Sequence, residues 1–195
     1  MVATLLIYVD FGGSDGTPGT NQDTTALGPP NIRLKTADDA TIDAINPIPI
    51  PASSTNNSFW KSCYVRCSVA PDTQINNLKL YTDGAGFGTG ITTYIGDQFP
   101  TRNSGSTAAY KKAVGTVGTS GTEIVAGYTG ISSKTDFFTF TSGSPLTGPS
   151  ISEAGNIITN IGHTSNYFVL QATVGTTASP GNKIDETITL VYDEI

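Results

Sequence analysis

The sequence predicts an all-β protein, a single β-sandwich of jelly-roll-like type with long loops, and three observations carry that prediction. Short segments alternate apolar and polar residues with a period of two, which puts every second side chain on one sheet face. Those segments are rich in Thr, Val, Ile and Tyr, whose branched or aromatic side chains favour extended backbone. Between them, 22 glycines and 11 prolines punctuate the chain at turns.

Taken in order, the expected strands are Leu5–Val9, Asn31–Lys35, Phe59–Val69, Ile75–Tyr81, Ile91–Ile95, Thr122–Ala126, Asp136–Thr141, Tyr167–Val174 and Ile184–Tyr192. In the third, Phe59, Cys63, Val65, Cys67 and Val69 share one face, and Trp60, Ser62, Tyr64, Arg66 and Ser68 the other. Lys61 falls on the apolar face near the strand's start, where its stem is expected to lie along the core edge with the amine in water. In Tyr167–Val174, Phe168, Leu170, Ala172 and Val174 point inward, with Tyr167, Val169 and Gln171 outward. The one stretch with helical character is Ser106–Val114, where Ser106 or Thr107 is placed to cap a two-turn helix; a loop is the equal alternative. No linker divides the chain, so residues 1–195 read as one domain. Strand order stays open between a jelly roll and an immunoglobulin-like sandwich.

Three connections are long: Phe11–Pro30, Asp38–Ser58 and Gly96–Ser120. Loops of that length in a compact domain usually have a task, such as binding or subunit contact. Within the second, Asn46-Pro47-Ile48-Pro49-Ile50-Pro51 is expected to be extended and stiff, because alternate prolines fix φ and push the residue before them away from helix. Ile48, Pro49 and Ile50 then need an apolar cover, supplied either by the domain's own surface or by a partner chain.

Charge narrows the function. The formal net charge is −6, charged residues make up 13% of the chain, and the ten Lys and Arg are scattered, so no basic footprint exists to neutralise phosphates. Nucleic acid is not an expected partner. The run Leu5-Leu6-Ile7-Tyr8-Val9 is far short of the roughly 20 apolar residues that span a bilayer and lacks preceding basic residues. The reading is therefore a soluble protein with no membrane partner and no signal peptide, made in the cytoplasm.

Cys63 and Cys67 lie on one face of one strand, about 13 Å apart by strand geometry, beyond the roughly 7 Å that a disulfide bridges. They are expected to be free, buried thiols, and Cys-x3-Cys with a single histidine is not a metal pattern. Asp10, Asp15 and Asp23 surround Asp10-Phe11-Gly12-Gly13-Ser14-Asp15-Gly16; calcium is one reading, and the turn chemistry of Asp-Gly is preferred because the spacing is not that of an EF-hand. Gly84, Gly86, Gly88 and Gly90 lack the helix and the Gly-Lys-Ser/Thr of a phosphate loop. His163 sits in a turn with no nucleophile-elbow pattern, and no pair among Asp72, Asp83, Asp97, Glu123, Asp136 and Glu153 stands out for glycoside hydrolysis. No catalytic residue, cofactor or metal site is assigned, and an enzyme is not expected. Trp60, Tyr64 and Tyr81 are predicted on outward faces, with Phe87 and Tyr94 nearby in sequence; the preferred reading is that they cover a second sheet face or a subunit contact, and the alternative is a platform of Trp60 and Tyr64 stacking on a glycan. Asn56-Asn57-Ser58 is a glycosylation sequon with meaning only in a secreted eukaryotic protein.

The stretch Asn57–Gly96, above all Thr73-Gln74-Ile75-Asn76-Asn77-Leu78-Lys79-Leu80-Tyr81-Thr82-Asp83-Gly84 followed by Gly88-Thr89-Gly90-Ile91, resembles segments of tailed-bacteriophage virion proteins. The resemblance implies a β-sandwich structural component of capsid decoration (cement) or minor capsid type, located in the virion. Its partners would be capsid protein subunits and further copies of itself, a trimer among the options. No catalytic residue comes with it. Two other readings stand beside it: a carbohydrate-binding module or phage tail or baseplate adhesin using Trp60 and Tyr64, and a jelly-roll capsid protein, disfavoured by the lack of a basic arm.

Overall fold

The alternation is realised as two antiparallel sheets facing across a shared core. The computed structural model describes residues 2–23, 32–39, 41, 44–102 and 105–195. Its strands are β1 (Thr4–Phe11), β2 (Thr20–Asp23), β3 (Thr55–Asn57), β4 (Lys61–Val69), β5 (Ile75–Tyr81), β6 (Ile91–Gly96), β7 (Gly115–Thr116), β8 (Ser120–Gly121), β9 (Lys134–Asp136), β10 (Leu146–Thr147), β11 (Phe168–Gly175) and β12 (Thr189–Glu194). The larger sheet has the order β2-β1-β4-β11-β6-β9, with β3 also on β11; the smaller is β10-β5-β12, and β7 and β8 form a separate hairpin. The division between sheets is uneven, and it is the two-sheet, all-β arrangement that matches the sequence reading.

Register explains the core. Val9 lies opposite Cys63, and Cys63 opposite Phe168, so one face of the large sheet carries Val9, Cys63, Val65, Cys67, Ile95, Phe168 and Leu170. The small sheet supplies Ile75, Leu78 and Leu80 to the same cluster, joined by Phe137, Ile151 and Ile158. Both cysteines are free and buried here, as expected, and burial pushes both thiols up in pKa.

The other face of the large sheet is covered too. Residues 105–131 run across it, and with them Trp60, Tyr64, Tyr167 and Val169 join Tyr110, Ala113, Ile124, Tyr128 and Ile131 in a second buried cluster. The molecule thus has three layers: small sheet, large sheet, and a layer of irregular chain. The alternation of β4 and β11 separates two cores, not a core from water.

Several expected elements differ. Thr122–Ala126 is no strand; Ile124–Gly127 forms one helical turn lying on the sheet face, with Ile124 N–H donating to Gln171 Oε1 at 3.0 Å. Short apolar runs do not distinguish strand from helix by period, and here face coverage decided. In Asp136–Thr141 the strand stops at Asp136, whose carboxylate accepts from Phe138 N–H and starts a 3₁₀ turn at Phe137–Thr139. The last strand begins at Thr189 and not at Ile184, because its partner β5 ends at Tyr81, opposite Thr189, leaving nothing for earlier residues to pair with. Ser106–Val114 makes a single turn, Tyr110 N–H to Thr107 C=O, and then an extended path that lets Tyr110 and Ala113 both reach the second core. Of Asn31–Lys35, Asn31 lies outside the described residues, and 32–35 are not a strand; Lys35 C=O instead accepts from Phe59 N–H.

Lys61 also departs from expectation. It is fully buried, and its Nζ donates to Ala37 C=O at 3.1 Å and Asp39 C=O at 2.6 Å, because the segment 34–39 passes over the core edge where water was expected.

The tightness of the second core is testable at Gly127. A Cβ there would stand 2.6 Å from the Trp60 ring, so Gly127→Ala must displace a fully packed indole. Urea unfolding of that variant is expected to show a loss of about 1–3 kcal/mol.

Candidate functional site

The irregular layer poses a problem of hydrogen bonding. Chain without regular structure must find partners for its peptide groups when it covers a sheet, and here side chains of the large sheet and of the layer itself make bonds of this kind. Trp60 Nε1–H donates to Lys111 C=O at 2.9 Å, Tyr128 O–H to Ala109 C=O at 3.1 Å, and Tyr110 O–H to Gly12 C=O at 2.8 Å. Gln171, wholly buried, donates to Ser58 C=O and Thr122 C=O and accepts from Ile124 N–H. Burial pushes Tyr128 up to about 12, and Tyr110 and Tyr167 higher still, so these hydroxyls remain donors at any working pH.

Under this layer lies a buried ion pair. Arg102 Nη1 reaches Asp10 Oδ2 at 2.9 Å and Tyr167 Oη at 2.7 Å, and Tyr167 O–H also donates to Asp10. The guanidinium stacks 3.5 Å from the centroid of Tyr64, an arrangement that its weak hydration and planarity suit. Asp10 and Asp15 therefore act as latches. Asp15 accepts from Lys111 Nζ at 2.9 Å and Lys112 N–H at 3.0 Å, contacts that hold its carboxyl below the usual range despite exposure. Among the described residues no group of three His, Cys, Asp or Glu is placed to hold a metal ion. The side chain of Asp23 lies outside the described part of the structure.

The proposed glycan platform is corrected by the same layer. Trp60 is 2% and Tyr64 1% exposed, because residues 105–131 cover the face that the alternation had placed outward; neither ring can stack on a sugar while the layer is in place. His163 is half-buried in its turn, with Thr159 N–H donating to Nδ1. Gly84, Gly86, Gly88 and Gly90 all have positive φ, forming a turn over the Phe87–Phe138 ring pair. A hollow of about 100 Å³ lined by Asn77, Thr147, Pro149 and Asn156 is well below the few hundred Å³ usual for a small-molecule site.

What remains is a surface. Four segments that carry no Asp, Glu, Lys or Arg, residues 44–60, 84–96, 113–122 and 171–182, converge at one end of the molecule. β3 pairs with the end of β11, and Gly175 N–H donates to Gly90 C=O at 2.7 Å. Asn57 N–H donates to Ser120 Oγ, Asn56 Nδ2 to Pro49 C=O, and Gly118 N–H to Thr36 C=O. The Pro-rich arm and the β7–β8 hairpin are thereby fixed side by side. Ile48 and Pro49 are half-buried against the domain, whereas Ile50 stays exposed. Ile45 at 64% and Val117 at 59% exposure stand out with it, joined by Val114. Sequence reasoning found the arm from its prolines but not the hairpin, whose nearness depends on long-range bonds; the shared lack of charge in the four segments was the available signal.

No protein-family model matches the sequence, and neither the curated proteins nor the solved structures include a significant match. Among the described residues no helix is long and apolar enough to cross a membrane.

Two buried charges give testable behaviour. Arg102→Met removes the guanidinium from a wholly buried carboxylate and is expected to cost about 3–5 kcal/mol; in urea denaturation, Arg102→Met with Asp10→Asn should lose less than the two single losses added. For Lys61, burial lowers its pKa to about 8, against about 10.4 in an unfolded chain. Between those pH values the unfolded chain binds more protons, so stability rises with pH; below about 8 the cost is fully present. The stability difference, Lys61→Met minus native, measured from pH 7 to 10.5, is expected to fall by on the order of 3 kcal/mol; a flat difference would refute a depressed Lys61.

Proposed function

We propose that this chain is a non-enzymatic structural component of a virus particle, of capsid decoration or cement type, which binds neighbouring subunits through its uncharged end. The observation that carries the reading is the gathering of the Pro-rich arm and the β7–β8 hairpin into one surface with exposed Ile45, Ile50, Val114 and Val117 and no formal charge on the segments that build it. Contiguous apolar surface of this kind marks association sites, and an interface core depleted of charge avoids the desolvation of ions. A stiff arm also loses little conformational entropy when it is fixed by a partner. The resemblance of Asn57–Gly96 to tailed-phage virion proteins supports the same reading, with capsid subunits and further copies of the chain as partners and the virion as location.

The internal chemistry fits this role. The charged side chains that sequence reasoning weighed for metal binding, Asp10 and Asp15, hold the covering layer in place. Many modest contacts across a shell, each made by an uncharged end, would add stability through multivalency.

The test is co-sedimentation of purified protein with candidate phage heads, read beside light scattering for the oligomer. Ile50→Asp with Val117→Asp is expected to abolish particle binding or self-association while leaving the melting temperature within about 2 °C, since exposed substitutions rarely change stability by more than about 0.5 kcal/mol. Binding to heads that survives both substitutions would remove the assignment of this end as the contact.

A further inference from the structure

A second set of exposed apolar residues lies on different elements, on β12 and the chain around it. Ile184 precedes this strand at 78% exposure, Val191 lies on it, Ile195 follows it, and Val2, at 80%, sits beside its end. β12 is the last strand of the small sheet, so among the described residues one side of it has no strand partner. At the C-terminal end that side is closed: Ala3 N–H donates to Glu194 Oε1 at 3.0 Å, and Tyr192 O–H donates to Ala3 C=O at 3.2 Å. A register shift between Val191 and Asp193 bends the strand just before this closure. Within β12 the open length therefore runs from Thr189 to Val191, and residues 184–188 lead into it outside the strand.

Edge strands in native proteins are commonly guarded by charged side chains, lysine above all, by proline or by a bulge; the guards of β12 are its register shift and carboxylates, which repel an acidic edge and not a basic one. Residues 184–191 contain no lysine and no proline, and their charges are both acidic, Asp185 and Glu186. Asp193 and Glu194 follow, and Asp83 faces Glu186 closely enough to raise its pKa after burial has done so. The nearby cations are Lys183, whose Nζ is bonded to Ser179 C=O, and Lys79, across the sheet opposite Val191. The edge is thus apolar at Ile184 and Val191 and acidic around them.

We propose that the open edge of β12 accepts an extended segment of another polypeptide by strand addition, with apolar residues at alternate positions and Lys or Arg flanking them. Main-chain hydrogen bonds supply the pairing and the alternate side chains the register, as in other strand-addition complexes. Charge complementarity selects the occupant. A second copy presenting the same edge would bring four more carboxylates against these, so self-pairing is the disfavoured occupant. This inference stands on residues outside the uncharged end and does not depend on the reading given for that end.

The experiment titrates the full chain with a nine-residue peptide of alternating Val and Thr carrying Lys at both ends, and with the same peptide carrying Glu. The expected result is slowed hydrogen exchange of the Thr189–Val191 amides with the Lys peptide, binding about three- to tenfold tighter than with the Glu peptide, and a difference that shrinks in high salt. Asp185→Asn with Glu186→Gln, both at the surface, should reduce the preference while keeping the melting temperature. Equal affinity for the two peptides, no protection of β12, or protection that appears with rising protein concentration in the absence of peptide would each overturn the proposal, the last in favour of self-pairing.

Discussion

Strands β4 and β11 carry large side chains on both of their faces, and both faces must leave water. Trp60, Tyr64, Tyr167 and Val169 on one side, and Cys63, Val65, Phe168 and Leu170 on the other, amount to more apolar surface than a second sheet on one side can cover. The small sheet closes the first face. The second is closed by residues 105–131, and that covering determines where the buried polar groups stand, which aromatic rings are accessible, and which surfaces are left for partners.

A covering layer of irregular chain is held differently from a sheet. Its peptide groups cannot pair with a neighbouring strand, so indole, phenol and amide groups rising from β4 and β11, and from the layer itself, reach its carbonyls and amides. Each such side chain contributes apolar area and a directed bond together. The Arg102–Asp10 pair belongs to the same system: a guanidinium between two phenol rings, bonded to a carboxylate on β1, ties the segment after β6 to the sheet centre. Ionisable and aromatic groups that in another setting would suggest chemistry are consumed here by packing.

With both faces of the large sheet closed, the ends of the molecule and the small sheet's outer side and edges become the available surface. The two sets of exposed apolar residues, one around the Pro-rich arm and one on β12 and the chain around it, differ in electrostatic character: the segments of the first carry no formal charge, and the second is ringed by carboxylates. On the two proposals made for these surfaces, that difference would give them different partner chemistry.

The period-two pattern determined the strand-rich class, the location of β1, β4, β5, β6 and β11 to within a few residues, and the placement of Cys63 and Cys67 on one buried face, because pleat geometry sends alternate side chains to opposite sides whatever the tertiary context. The stiffness of residues 46–51 was likewise written locally, in the prolines. Only the tertiary structure decided what lay opposite each face. Alternation reports that two faces differ and not that one is wet, so it placed Trp60 and Tyr64 on the outward face without fixing whether a glycan, a subunit or the chain itself covers them; residues 105–131 do. Lys61 read as reaching water until the segment 34–39 was seen to close over it. Ile124 and Phe137, apolar in short runs, turned into helical pieces whose side chains are buried in the two cores on the sheet faces. In each case the missing information was a contact between residues far apart in sequence, and such contacts are set by the way whole layers stack.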